Sequence, residues 1–248
     1  MIVANLATYP PRWQSMLKVL AELSPQVDRL NVVLNEYTDI PALLTVYANV
    51  VPILPPSDQK DLGKFLPDTE GAEVVFLVDD DIRYPADYVK STLAAFRDLP
   101  QRRVVAGYHG SLYRLPGKQK PDLDPEKIAG SRRIIDFSDA LDAAVVVDQL
   151  ASNTLVARPA DLAPFDYMTG SQKFTDVRLA RWCFENSVLP VCLPRNKDWL
   201  KPVAHPETIY RNFTRSNHAH VAKEIWHYAF KVPGRGKSPL ADVPAVVQ

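Results

Sequence analysis

The apolar run Phe76-Leu77-Val78 passes directly into three carboxylates, Asp79-Asp80-Asp81. Val74 to Val78 has the continuous apolar character of a strand buried on both faces, the kind found in parallel sheets. Open α/β sheets bind their ligands at the carboxyl ends of such strands. Three adjacent carboxylates repel one another, so a cation or a set of donors must compensate them. Oxygen-only ligands suit Mg²⁺ or Mn²⁺ better than zinc, and Mg²⁺ is commonly held by a few carboxylates together with substrate phosphates. The segment therefore points to a divalent ion bridging a diphosphate. Without the strand before it, the same triplet would read as a solvated acidic loop or a helix cap.

The flanking sequence supplies elements that place this strand. Ile2 to Ala7 reads as a strand, and Trp13, Met16, Leu17, Leu20 and Leu23 follow at helical spacing behind Pro10-Pro11. Strands are expected at Leu30 to Leu34 and Val50 to Leu54, with a short helix over Pro41 to Tyr47. Pro85 opens a helix running to about Leu99, with Asp87 in its first turn, and Arg103 to Tyr108 is the next strand. Alternating strands and helices mean βαβ units and a central, mostly parallel sheet flanked by helices.

The second half is less regular. Leu112 to Ser131, rich in proline, glycine and basic residues, reads as a mobile surface loop. Strands are expected at Ile134 to Phe137, Ala143 to Val147, Thr154 to Ala157 and Val188 to Leu193. Helices are expected at Asp176 to Asn186 and Ser216 to Phe230, and a loosely ordered tail at 232–248. No linker is evident, so residues 1–231 are read as one domain, with a nucleotide-facing part to about 110 and an acceptor-facing part beyond it.

At 248 residues and 46% hydrophobic content the chain can bury a substantial core. Its 29 basic and 29 acidic residues cancel, which removes any global attraction for nucleic acid. Cys183 and Cys192 are too few for a disulfide scaffold and read as buried thiols. No stretch reaches the length of a membrane span and no signal-peptide pattern opens the chain, so a cytoplasmic protein is expected, with a peripheral membrane position compatible.

Several segments together resemble bacterial GT-A glycosyltransferases of the family 2 type. They are the first strand running into Thr8-Tyr9-Pro10-Pro11-Arg12, Asp61-Leu62-Gly63-Lys64, Val78-Asp79-Asp80-Asp81-Ile82-Arg83-Tyr84-Pro85, and the acidic helix start at Asp176. By order of elements the resemblance covers about residues 1–195, and it is specific around 76–88. It implies that the acidic triplet holds a metal ion and the diphosphate of a nucleotide sugar. The Glu-Asp pair common before the late helix stands here as Thr175-Asp176. The family's Gln-X-X-Arg-Trp element is absent, so a processive polysaccharide synthase is not expected.

Along an extended strand Asp79 and Asp81 share one face and Asp80 takes the other. Asp81 is assigned to the metal, Asp79 to the metal or ribose, and Asp80 to the sugar or to holding the loop. Arg12 can pair with phosphate and Tyr9 stack on a base, with Thr8 beside them. Lys64 can reach the diphosphate because Gly63 permits close backbone approach. Asp58 and Asp61 are placed on base or ribose, although loop aspartates also cap turns. His205 is a possible third metal ligand or diphosphate contact. Asp176 is the best candidate for the base that takes the acceptor proton, against a helix-start role. Trp199 stacks on a sugar or packs in the core.

The expectation is a Mn²⁺- or Mg²⁺-dependent transferase moving a sugar, with inversion, from a UDP-sugar or another nucleoside-diphosphate sugar to a glycan or lipid-linked hydroxyl. The alternatives are a sugar-nucleotide nucleotidyltransferase, which usually needs a glycine-rich loop where Thr8 to Arg12 stand, and a non-catalytic metal-dependent carbohydrate-binding module.

Overall fold

Strand periodicity and helix spacing translate into an α/β sheet in the computed structural model, which describes residues 1–100, 103–114, 128, 131–203 and 219–239. In chain order the elements are β1 (Ile2–Thr8), α1 (Trp13–Leu23), β2 (Arg29–Leu34), β3 (Val50–Ile53), β4 (Val74–Val78), β5 (Ile82–Arg83), α2 (Tyr88–Arg97), β6 (Val104–Gly107), β7 (Gly110–Tyr113), β8 (Arg132–Ile135), β9 (Val145–Val146), β10 (Gln149–Leu150), β11 (Thr154–Ala157), α3 (Phe165–Met168), α4 (Thr175–Glu185), β12 (Leu189–Cys192), β13 (Lys201–Pro202) and α5 (Ala219–Tyr228). The main sheet has eight strands in the order β3-β2-β1-β4-β11-β6-β12-β9. All run the same way except β11 and β9, so the sheet is mostly parallel as expected.

The strand order creates a crevice. From β1 the chain steps outward to β2 and β3, then returns to lay β4 on the other side of β1. Such a reversal leaves an opening beyond the carboxyl ends of the two central strands. Here those ends are Thr8 and Val78, and the register Leu6↔Val78 aims both following loops at the same place.

Strand β4 is buried on both faces, as its continuous apolar run requires. Val74, Phe76 and Val78 pack with α1 and α2 through Met16, Leu20, Tyr88 and Phe96. Val75 and Leu77 pack on the opposite layer with Leu62, Met168, Leu179 and Trp182. A third cluster joins α5 to α4 through Phe174, Val177, Ile225 and Tyr228. Both cysteines are buried and unpaired. No helix among the described residues is long and apolar enough to cross a membrane.

Several boundaries differ from the sequence reading. The short helix expected at Pro41 to Tyr47 is a 3-10 segment, Ala42–Val46. Pro85 does not open α2 directly: Tyr88 N–H first closes a turn on the Pro85 carbonyl, and Asp87 is the N-cap residue. Of the expected loop at Leu112 to Ser131, residues 115–127 and 129–130 lie outside the described residues, while Leu112 and Tyr113 belong to β7. The expected tail begins in an anchored segment. Arg235 forks onto the fully buried Asp148 carboxylate (Nε to Oδ1 2.7 Å, Nη2 to Oδ2 2.6 Å), and Gly236 N–H bonds the Val146 carbonyl at 2.8 Å. Residues 240–248 lie outside the described residues.

Candidate active site

Beyond the carboxyl ends of β1 and β4 lies a cavity of about 500 Å³, lined among others by Thr8, Tyr9, Arg12, Asp58, Lys64 and all three aspartates of the triplet. The aspartates divide as strand alternation predicts. Asp79 and Asp81 have side chains 35% and 28% exposed, whereas Asp80 is turned inward at 10%. Asp80 accepts the Thr8 hydroxyl at 2.7 Å and an Arg12 N–H at 3.3 Å. It thus fastens the loop after β1 to the loop after β4, the second of the two roles read for it. Burial pushes its pKa up to about 7 against the opposing pull of Thr8 and Arg12.

Two built-in cations compensate the outer pair. Arg12 Nη1 lies 2.6 Å from Asp81 Oδ2, and the Lys64 ammonium lies 2.5 Å from Asp79 Oδ1. Burial acts against the Arg12 charge, but its hydrogen bond and attraction to Asp81, then Asp80, leave its pKa raised. Lys64 is only 3% exposed and also donates to the Ser152 carbonyl at 3.0 Å. It is therefore a largely buried counter-ion in the cavity wall. Gly63 serves a different purpose from close approach to phosphate: a Cβ there would meet Val33 Cγ1 at 3.0 Å and Ala7 Cβ at 3.2 Å. The glycine lets the Lys60–Phe65 turn lie against β1 and β2.

Two buried asparagines that the sequence reading passed over position this turn. Asn5, in β1, donates to the Lys64 carbonyl at 3.0 Å and accepts from Asn31 of β2 at 2.8 Å. Asn35, just beyond β2, donates to the Lys60 carbonyl at 3.0 Å and accepts the Gln59 amide at 2.9 Å. For Asn5 the signal is available in sequence: a polar amide inside an apolar strand must find partners. Asp58 and Asp61 turn out to hold backbone. Asp58 accepts the Lys60 amide at 2.9 Å and pairs with its ammonium, while Asp61 accepts the Lys173 amide at 2.7 Å and the Thr175 hydroxyl at 2.8 Å. Glu36, Lys60 and Lys173 all line the cavity with left-handed backbone, φ of 61°, 51° and 75°. The aspartate bonds stabilise two of these three unfavourable conformations.

Asp176 stands in the first turn of α4. Its Oδ1 accepts both the Ser152 amide at 2.8 Å and the Ser152 hydroxyl at 2.9 Å, and among the described residues no hydrogen bond reaches Oδ2. Ser152 thus joins two charges, since its carbonyl also binds Lys64. His109, beyond the carboxyl end of β6, was not singled out in sequence. Its Nδ1 lies 3.7 Å from Asp136 Oδ2, its ring packs 5.8 Å from Phe137, and burial lowers its pKa despite the charges of Asp136 and Asp176. His205 lies outside the described residues. Trp199 packs in the core between Tyr88 and Tyr108, with ring separations of 5.8 and 5.1 Å.

Among the described residues no three metal-ligating side chains form a cage. Asp79 and Asp81 nevertheless fit an ion of the Mg²⁺ or Mn²⁺ type, which takes one or two carboxylates and completes its shell with phosphate and water. Burial, and after it the charge of Asp79, raise the pKa of Asp81 against the pull of Arg12 and Lys64. Six acidic side chains (Glu36, Asp58, Asp61, Asp79, Asp80, Asp81) face four basic ones (Arg12, Lys60, Lys64, Lys173) around the cavity.

No protein-family model matches the chain, and no curated protein matches it. Solved structures similar to it include S. aureus TarS 1–349 in complex with UDP-GlcNAc, at 14% identity and a TM-score of 0.48 over 85% of this chain and 60% of that one. Another is glucosyl-3-phosphoglycerate synthase from Mycobacterium tuberculosis in complex with Mn²⁺, UDP-glucose and phosphoglyceric acid, at 13% identity and a TM-score of 0.43 over 75% of this chain and 65% of that one. The chain thus spans less than two thirds of the length of either structure. These likenesses are of overall trace only.

Proposed function

We propose that this protein is a glycosyltransferase that uses a nucleoside-diphosphate sugar, UDP-linked in the first instance, and transfers the sugar with inversion to a hydroxyl of a glycan or lipid-linked acceptor. The observation that carries this reading is the acidic surplus of a cavity at the sheet's reversal point, with Asp79 and Asp81 directed into it. A diphosphate beside the Asp79 and Asp81 carboxylates is repelled unless a cation lies between them. Asp79 and Asp81 would hold that Mn²⁺ or Mg²⁺ ion, which supplies charge neutralisation at the leaving diphosphate. Arg12 and Lys64 hold the two carboxylates at fixed positions, and Asp80 locks Thr8 and Arg12 to the same turn.

In the transfer, the bond from the anomeric carbon to the diphosphate oxygen breaks and its electron pair leaves with the diphosphate. The acceptor oxygen bonds to that carbon, and Asp176, which does not itself line the cavity but bonds Ser152 next to the lining residue Asn153, would take its proton on Oδ2 while Ser152 keeps Oδ1 in place. The glycine-free loop from Thr8 to Arg12, closed by a 3-10 turn at Pro10–Arg12, disfavours the nucleotidyltransferase reading. Incubation with a panel of UDP-, GDP- and ADP-sugars and Mn²⁺ tests the proposal. Release of free nucleoside diphosphate is expected from one of them. Formation of nucleoside triphosphate from added pyrophosphate would instead support nucleotidyl transfer, and inertness towards the whole panel would favour a binding module.

A further inference from the structure

Tyr84 follows β5, and its side chain returns to the start of the aspartate turn. The residue is 2% exposed. Its hydroxyl oxygen accepts the Asp79 amide at 3.0 Å, and its proton lies between two carbonyls, that of Asn153 at 3.0 Å and that of Asp79 at 3.2 Å. One phenol therefore closes the loop from Asp79 to Tyr84 and ties it to the residue preceding β11, in the strand next to β4. Asp79 and Asn153 both line the cavity.

The clamp is itself held on two sides. The Tyr84 amide donates to Glu22 Oε2 of α1 at 2.8 Å. Its ring meets Tyr88 edge-on at 4.8 Å, and Tyr88 packs against Phe76 at 5.8 Å and Tyr108 at 6.1 Å. Tyr88 offers a contrast within the same stack: it is also fully buried, yet among the described residues its hydroxyl has no hydrogen-bond partner. Packing alone thus accounts for the ring of Tyr88 but not for the three-way bonding of the Tyr84 hydroxyl. At the other end of the turn, Val203 N–H bonds the Asp81 carbonyl at 2.7 Å.

We propose that Tyr84 is a positioning residue for the donor site, its hydroxyl fixing the Asp79 peptide against Asn153 so that the Asp79 and Asp81 carboxylates keep the spacing a shared ion requires. The inference rests on the donor-site reading above. Partners that orient metal ligands usually weaken metal affinity ten- to a hundredfold when removed.

The test compares Tyr84→Phe with Tyr88→Phe, each of which removes one buried hydroxyl from the same aromatic stack. UDP affinity is measured by calorimetry with Mn²⁺ and with EDTA. Tyr84→Phe should lose about tenfold in the Mn²⁺ measurement and little in EDTA, while Tyr88→Phe should match wild type in both. A folded Tyr84→Phe protein that keeps the wild-type ratio of the two affinities overturns the inference alone. A wild-type protein whose UDP affinity ignores Mn²⁺ overturns the donor-site reading and this inference with it. Hydrogen exchange in the wild-type protein gives a check that does not depend on recovering the variant. The Asp79 amide should be protected before any ligand is added, and rapid exchange there would contradict a pre-formed clamp.

Discussion

Asp176→Asn is expected to lower sugar transfer about a hundredfold or more, the usual weight of a general base, while leaving donor affinity and melting temperature near wild type. The geometry makes the substitution clean. Both Ser152 donors bond to Oδ1, which an asparagine retains, so the change falls on Oδ2, the atom that accepts no hydrogen bond from the described residues. A carboxamide cannot take a proton at neutral pH. If Asp176 only supported the start of α4, Asn would serve nearly as well, and turnover, donor affinity and stability would all stay close to wild type. Near-normal turnover in the purified variant would therefore remove Asp176 from the mechanism.

The largest expected effect on stability lies away from the cavity. Arg235→Ala leaves the Asp148 carboxylate, 0% exposed, without the guanidinium that forks onto it. Breaking a buried ion pair by deleting one member costs about 3–5 kcal/mol. The Tyr113 amide, 2.8 Å from Asp148 Oδ2, and the Phe230 amide, 3.3 Å from Oδ1, remain as donors, which places the expected loss near the lower bound. For a chain of this size that corresponds to a fall in Tm of roughly 6–12 °C. Arg235→Ala combined with Asp148→Asn should recover part of the loss, because the uncompensated charge is then gone. A single variant that melts within about 2 °C of wild type would show that the expected tail contributes little to the fold.

The half of the fold that carries the cavity was legible for a definite reason. In β4 the apolar run, the abrupt acidic end and the alternation of Asp79, Asp80 and Asp81 all follow from local covalent geometry, and the structure keeps each of them. What escaped the sequence depends on long-range partners. Lys64 reads as a cation able to reach the diphosphate beside a glycine, but it is held in a buried position by Asp79 and by the Ser152 carbonyl, 88 residues away. Asp61 reads as a base or ribose contact or as a turn cap, and its observed partners Lys173 and Thr175 are 112 and 114 residues distant, beyond the reach of either local reading. Burial is the chief cause of its raised pKa. Of the two-residue strands, β9 falls inside an expected strand, but β5, β10 and β13 are too short to show any period, and β11 runs antiparallel between β4 and β6, which no local pattern announces. Tyr84 could be read as one more aromatic beside a proline; only the folded turn brings its hydroxyl to the Asp79 peptide.

The central claim is a cation shared between Asp79, Asp81 and a diphosphate, and calorimetry of UDP binding to wild type and Asp81→Ala tests it most directly. Asp81 contributes a side chain that remains 28% exposed to the cavity while Arg12 holds its other oxygen. Its removal should leave β4 and the core unchanged, because Asp80 still bonds Thr8 and Arg12. Wild type should bind UDP markedly more tightly with Mn²⁺ than with EDTA, and Asp81→Ala should lose that difference while remaining folded, with Arg12 still paired to Asp80. Equal stimulation by Mn²⁺ in both proteins would contradict the assignment of the ion to this turn.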